Sequence, residues 1–398
     1  MALELLAAAH SNTSDDLVYY DRQVQARTWV APTKRNTDRN GIIKRHPADA
    51  PWPVATVKLV KPKNEKFWLG PIEVGTPHPP EGPRQLFKAV FDTGSLPLWV
   101  TSSEAPDRGS SKTYDSRHSS TWENLHSTFN VNYPLGSCEG NTVSDMVNVG
   151  GIEVEMAFGS VTKRTGHLVK LDGTLGLPFP PPEDKSESHF FHAVQKRYPH
   201  FNPVAAFCFG TRDVAELHLG QVKDSVYLGE QIEYHQTIQL SNGPKLWPIG
   251  DGEISVGGTT IQANIRTILD TGSPAIFGPP KEVAKIYDKI HGSRHHSVKD
   301  GQALYLLPCE PKPEHKVELS FKFKNGKPWK ILYEDLAMEI PGKKKWCKGA
   351  IAGMLLPYDK NPEDLWLAGD PFLQGKYVIF DARNRRAGLA EAKKGCGH

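Results

Sequence analysis

Residues 89–95, Ala-Val-Phe-Asp-Thr-Gly-Ser, return as residues 267–273, Thr-Ile-Leu-Asp-Thr-Gly-Ser. Each copy is a short apolar run that ends in aspartate, threonine, glycine and serine. One Asp-Thr-Gly is commonplace in turns. Two copies at a domain-sized separation, each fed by an apolar strand, point to a duplicated lobe. A solenoid would repeat at a far shorter period. A second echo follows each copy: Leu171-Asp-Gly-Thr-Leu-Gly-Leu177 and Leu365-Trp-Leu-Ala-Gly-Asp370, each a short apolar stretch closed by glycine.

The rest of the chain suits such a frame. Its 398 residues exceed what one hydrophobic core normally serves. Val, Ile, Thr and aromatic residues come in short runs broken by Gly, Pro, Asn and Asp, which predicts an all-β fold rich in turns. Helical spacing is confined to His189–Tyr198 and to Lys281–Ile290, the latter following Pro279-Pro280 as a start signal. No run of about 18 apolar residues is present, so no membrane span is predicted.

Charge is unevenly placed. Residues 1–66 hold 11 Lys/Arg against 7 Asp/Glu, a net of +4. The whole chain is +3, so the remainder is about −1. That speaks against a nucleic-acid surface on the body of the protein. The basic stretch reads either as a disordered tail or as a prosegment that covers an acidic cleft, and composition leaves both open. Met1–Ala9 is apolar and ends in small residues, but it lacks a basic start and carries Glu4, so any signal peptide is weak or incomplete. Of the five cysteines none forms Cys-x-x-Cys, and the 16 histidines are scattered. Neither a metal nor a cofactor is expected. The odd cysteine count leaves at least one free thiol or an intermolecular bridge. Cys208, within Ala206-Phe-Cys-Phe209, is expected in a buried strand. Cys138 reads either as a small buried hydrophobe or as an exposed thiol.

The two Asp-Thr-Gly loops carry the chemistry. Two facing lobes would bring Asp92 and Asp270 together, with Gly94 and Gly272 letting the backbone turn and a substrate approach. Two carboxylates in contact cannot both ionise easily, so they share a proton. One can then take a proton from water while the other donates to a carbonyl oxygen, which is general acid–base attack on an amide.

On these residues the sequence resembles the pepsin family of aspartic proteases over roughly residues 67–398. Phe91-Asp-Thr-Gly-Ser-Leu-Pro-Leu-Trp-Val100 is similar to its first active-site segment and Leu269-Asp-Thr-Gly-Ser273 to its second. Ile72–Pro77 resembles the strand before the first, Val131-Asn-Tyr133 through Val149-Gly-Gly151 the flap hairpin, and Asp370–Ala390 the closing strands. The resemblance implies a bilobal all-β fold of two related barrel-like lobes, residues 67–240 with Asp92 and the flap, and 241–398 with Asp270. It implies an aspartic endopeptidase, monomeric, secreted or vacuolar, acting on polypeptides. Asp92 and Asp270 would be catalytic, and Gly94, Ser95, Tyr133, Gly136, Ser137, Gly272 and Ser273 would meet substrate. Thr93 and Thr271 would rigidify the pair, Ser95 and Ser273 would donate to the outer carboxylate oxygens, and the Tyr133 hydroxyl would lie by the Trp99 indole N–H. A Cys309–Cys347 disulfide is implied, leaving Cys138, Cys208 and Cys396 unpaired.

The flap tip departs from the family pattern. Pro134 and Leu135 stand where glycine and a small polar residue are usual, and Pro274 follows Ser273 in place of a small hydroxyl residue. Proline removes a backbone donor that a peptide substrate would use. A pepsin-fold enzyme acting on a small molecule is therefore the alternative to a protease. A binding relative without catalysis is disfavoured by the presence of both aspartates. Replacing Pro134 by Gly together with Leu135 by Thr is expected to raise peptide cleavage about 2- to 15-fold, the worth of one returned hydrogen bond. Steady-state kinetics on one peptide read this directly, and an unchanged kcat/KM would count against the missing donor.

Overall fold

The computed structural model describes residues 53–62, 67–77, 82–106, 111–133, 136–179, 188–210, 213–242, 246–299 and 301–396. Pro134 and Leu135, and the basic segment up to residue 52, lie outside the described residues. The chain divides into two compact units. One takes in the described residues up to Val60, Trp68–Ala205 and Leu217–Val222. The other takes in Lys61–Phe67, Ala206–Glu216 and Lys223 onward.

The first unit is built on eight strands: β1 (Ala55–Val60), β2 (Leu69–Val74), β3 (Gln85–Asp92), β4 (Trp99–Thr101), β5 (Glu123–Tyr133), β6 (Gly136–Val149), β7 (Ile152–Arg164) and β8 (Gly173–Gly176). They run in the order β1-β2-β3-β8-β4-β7-β6-β5, and β2 also pairs with β6, which curls the sheet back on itself. In β1, Ala55, Val57 and Leu59 are buried while the residues between face water, the period-two pattern of a half-buried strand. β3 starts with alternation, but its last four residues, Ala89–Asp92, are all buried. It lies between β2 and β8 and both of its faces are covered there. Helix α1 (Phe190–Arg197) buries Phe190, Phe191, Ala193 and Val194, close to the predicted helix.

β9 (Val204–Cys208) and β10 (Val214–Leu219) carry the chain through the division. The second unit holds β11 (Tyr227–Gln236), β12 (Pro248–Val256), β13 (Thr259–Leu269), β14 (Ile276–Gly278), β15 (Arg294–Lys299), β16 (Gln302–Pro308), β17 (Leu319–Lys322) and β18 (Pro328–Ile331). It continues with β19 (Ala337–Ile340), β20 (Lys343–Gly349), β21 (Ile351–Gly353), β22 (Leu365–Ala368), β23 (Lys376–Asp381) and β24 (Arg386–Ala392). Its larger sheet runs β18-β17-β12-β13-β22-β14-β21-β16-β20-β19, with β15 on β16. Residues 223–240 join this unit because β11 pairs with β24 along Tyr227–Gln236. Helix α2 (Pro280–Asp288) begins on its predicted proline and buries Val283, Ile286 and Tyr287. Two one-turn helices, α3 (Tyr333–Leu336) and α4 (Asp370–Leu373), complete it.

The cysteines correct one expectation. Cys309 and Cys347 are bridged, as the resemblance implied, but so are Cys208 and Cys396, with Cα atoms 6.2 Å apart. Cys208 is buried in β9 as expected. β23 and β24 bring the chain end back beside it, and the Phe209 N–H donates to Lys376 O at 2.9 Å. A separation of 188 residues gives no hint of this in the sequence.

One half-buried carboxylate ties β11 to the β17–β18 turn. Glu233 accepts from the Lys327 amide and from Trp329 Nε1, each at 3.1 Å, and contacts His235 Nε2 at 2.7 Å. Burial alone would raise this carboxyl, but the bonds from His235, Trp329 and Lys327 outweigh it and hold it below the ordinary glutamate range. A carboxyl lowered in the folded state stabilises it above the unfolded value, about 4.3, and that stabilisation is lost as pH falls further. Glu233→Gln should therefore melt lower than wild type at neutral pH, with a shallower fall in Tm on acidification toward pH 3. Parallel thermal melts across pH check this, and identical slopes would exclude it.

Candidate active site

Each aspartate sits at the end of a strand held by the same local arrangement. In the first unit β3 runs parallel to β8, with Asp92 opposite Gly176, and β4 pairs antiparallel to β8 and parallel to β7. In the second unit β13 runs parallel to β22, with Leu269 opposite Ala368, and β14 pairs antiparallel to β22 and parallel to β21. The duplicated sequence is a duplicated topology.

The loops match atom for atom where it matters. Asp92 Oδ1 accepts the Gly94 N–H at 2.8 Å, and Asp270 Oδ1 accepts the Gly272 N–H at 2.8 Å. These are Asx-type turns that fix each carboxylate against its own backbone. The Leu177 N–H donates to Asp92 O at 2.7 Å, and the Asp270 N–H donates to Ala368 O at 3.1 Å. Both aspartates are 8 % exposed, buried among backbone yet still open at one side. Thr93, Ser95, Thr271 and Ser273 are buried beside them. The Ser273 hydroxyl donates to Ala275 O at 3.0 Å.

The glycines that close both second echoes explain themselves here. A Cβ on Gly176 would lie 2.4 Å from Leu96 O and 2.7 Å from Ser95 O. A Cβ on Gly369 would lie 2.4 Å from both Ser273 O and Ala275 O. Backbone crosses backbone at these two points, and no side chain fits.

In the flap hairpin Tyr133 faces Gly136 and Asn132 faces Ser137 across β5 and β6. Trp99 Nε1 donates to Tyr133 Oη at 3.0 Å. Burial pushes the Tyr133 phenol well up, the nearby Asp92 charge adds to it, and the bonds with Trp99 and Ser95 oppose it. This tyrosine is a neutral hydrogen-bonding group at any working pH. A Cβ on Gly136 would stand 2.2 Å from Thr165 O. The Ser137 N–H donates to Thr165 Oγ1 at 2.8 Å, and the Thr165 N–H donates to Ser137 O at 3.0 Å. Thr165 thus anchors the flap strand just past its tip, a role with no motif to announce it. Cys138 is a free, fully buried thiol, pushed up to about 12 by burial against the opposing pull of Arg164. It is a core residue, not an exposed nucleophile.

A family model described as eukaryotic aspartyl protease matches residues 67–392. An aspartic protease of Phaffia rhodozyma is 30% identical over 337 residues, covering 82% of this chain and 77% of the relative. Renin of Ovis aries is 30% identical over 347 residues, covering 82% and 80%. Cathepsin D of Bos taurus is 30% identical over 362 residues, covering 85% and 87%.

Gly176→Ala and Gly369→Ala should each destabilise the protein by about 1–3 kcal/mol and depress activity, because a methyl group would meet backbone oxygen. Gly250→Ala is the control, since its Cβ would meet only Ile238 at 3.5 and 3.6 Å. Denaturant titration with parallel assays reads the difference, and three equal variants would refute the close-approach account.

Proposed function

This chain belongs to the eukaryotic aspartyl protease family, and we propose that Asp92 and Asp270 are the two groups that carry its endopeptidase chemistry. The observation that carries the assignment is the loop made twice: a nearly buried aspartate at a strand end, with Oδ1 on the amide two residues on, clamped by a parallel neighbour.

The chemistry follows from sharing one proton between the two carboxyls. The ionised partner takes a proton from a water molecule as that water's oxygen attacks the scissile carbonyl carbon. The protonated partner gives its proton to the carbonyl oxygen, so a neutral tetrahedral diol forms and no covalent enzyme intermediate is needed. Collapse returns a proton to the amine as the C–N bond breaks. Oδ1 of each aspartate is already turned toward its own loop amide, which supports a role for the other oxygens at the substrate. Tyr133, neutral and held by the Trp99 indole, supports a flap that contributes hydrogen bonds and shape, not charge.

The same reading extends to processing and location. The basic segment, residues 1–66, contains a prosegment, with Lys34-Arg35 and Lys44-Arg45 as cleavage points. The protease acts as a monomer on polypeptides. Two disulfides suit secretion or a vacuole, since such bridges persist in oxidising compartments.

Incubation with a mixed protein substrate from acid to neutral pH, with and without pepstatin, tests the assignment. Wild type should cut and pepstatin should block it. Asp92→Asn and Asp270→Asn should each lose nearly all activity while keeping the wild-type Tm. Intact mass before and after acidification should show loss of the N-terminal segment. An Asn variant that still cuts would remove that aspartate from the mechanism.

A further inference from the structure

The second unit carries a cationic surface that peptide hydrolysis does not call for. Strands β19 and β20 form a hairpin whose tip and ascending strand read Pro341-Gly-Lys-Lys-Lys-Trp-Cys-Lys348. Lys343, Lys344 and Lys345 are all exposed. Across the sheet Lys348 pairs with Leu306 and Trp346 with Pro308, while Arg294 on β15 pairs with the same Leu306. Side chains alternate along a strand, so Arg294, Lys344, Trp346 and Lys348 share one face, and Cys347 turns inward, buried. The Arg294 guanidinium lies 3.9 Å over the Trp346 ring, and Lys345 Nζ stands 6.0 Å from it.

Two things set this patch apart from ordinary surface lysine. Among the described residues, Lys343, Lys344, Lys345 and Arg294 have no carboxylate partner, whereas the nearby Lys316 and Lys330 are paired with Glu334 and Glu318. The hairpin is also held rigid at its base. Cys347 is bridged to Cys309, and the Cys309 N–H donates to Lys345 O at 3.2 Å. The cations are pre-placed on a body whose charge beyond residue 66 is about −1.

We infer that this hairpin is a docking surface for acidic polypeptide segments, an exosite that recruits Asp/Glu-rich substrates. The inference rests on the proteolytic reading only for the word substrate. Lysine ammoniums are compact point charges on flexible stems, and they donate to carboxylates without the set fork geometry of arginine. The one arginine here lies on the indole, and it covers the ring face on which a sugar would stack. Lys343 and Lys345, two apart on β20 and on the face opposite Lys344, repeat at about 6.8 Å, the repeat of alternate side chains in an extended peptide.

The test uses the full-length protein, fluorescently labelled oligoglutamate, heparin and phosphatidylserine vesicles. Oligoglutamate should bind, more weakly as salt is added. Binding should fall about tenfold or more in Lys343→Glu/Lys344→Glu/Lys345→Glu and by less in the matching Gln variant, with Tm unchanged in both. No binding, binding indifferent to both variants, or capture of heparin or vesicles but not oligoglutamate would overturn the inference. In the activity arm, an uncharged peptide should be cut equally by wild type and variants, and the same peptide extended with a glutamate run should lose kcat/KM in the variants. Equal loss on both peptides would also overturn the exosite. If neither peptide is cut by wild type, proteolysis fails while the binding arm still decides the surface.

Discussion

The crossing of backbone over glycine, made once in each unit, is the constraint on which the rest depends. Gly176 lies under the carbonyls of Ser95 and Leu96, and Gly369 under those of Ser273 and Ala275. At these points a loop that has just left a strand passes against the strand alongside it. Parallel pairing then clamps each aspartate's main chain, through Leu177 N–H to Asp92 O and Asp270 N–H to Ala368 O. A carboxylate on an ordinary turn would sweep through several rotamers. Here the side chain also accepts its own loop amide, so both ends of the residue are held. Rigid placement of this kind is what general acid–base chemistry needs, because proton transfer requires hydrogen-bond geometry within a few tenths of an ångström.

The flap hairpin relies on a different mix of forces. Just past its tip it is polar and tied down, through Thr165 and Ser137, while Cys138 on the next position is seated in the core. The Trp99–Tyr133 hydrogen bond links that hairpin to the strand just beyond the first aspartate loop. Trp99 itself is wholly buried, so the indole N–H would lack a partner if Tyr133 moved away. An unpaired buried donor costs about 1–3 kcal/mol, and this gives the observed hairpin position a preference without freezing it.

Charge is sorted by the fold more finely than the sequence totals suggest. Beyond residue 66 the balance is about −1, yet the β19–β20 hairpin gathers three exposed lysines and the opposite edge of the same unit holds Glu233, half-buried, on the Trp329 indole and the Lys327 amide. Net charge describes solubility and long-range steering. Local chemistry depends on which residues the sheet register sets side by side, as Arg294 is set over Trp346 through a strand that lies between them.

The sequence by itself determined the parts of this protein that are written locally and twice. An apolar strand running into Asp-Thr-Gly-Ser, repeated at a domain-sized distance, marked both aspartates, the duplication, the all-β class and the glycine-closed echoes. The two helices were legible from apolar spacing and a proline start. What was out of reach depends on contacts between residues far apart in the chain. Cys208 and Cys396 meet only because β23 and β24 return the chain end to β9, and no local pattern records that. Thr165, just past the end of β7, holds the flap beside its tip with no motif around it. Tertiary structure alone decided these points, since hydrogen bonds and disulfides are chosen by distance in space, to which separation along the chain is nearly blind.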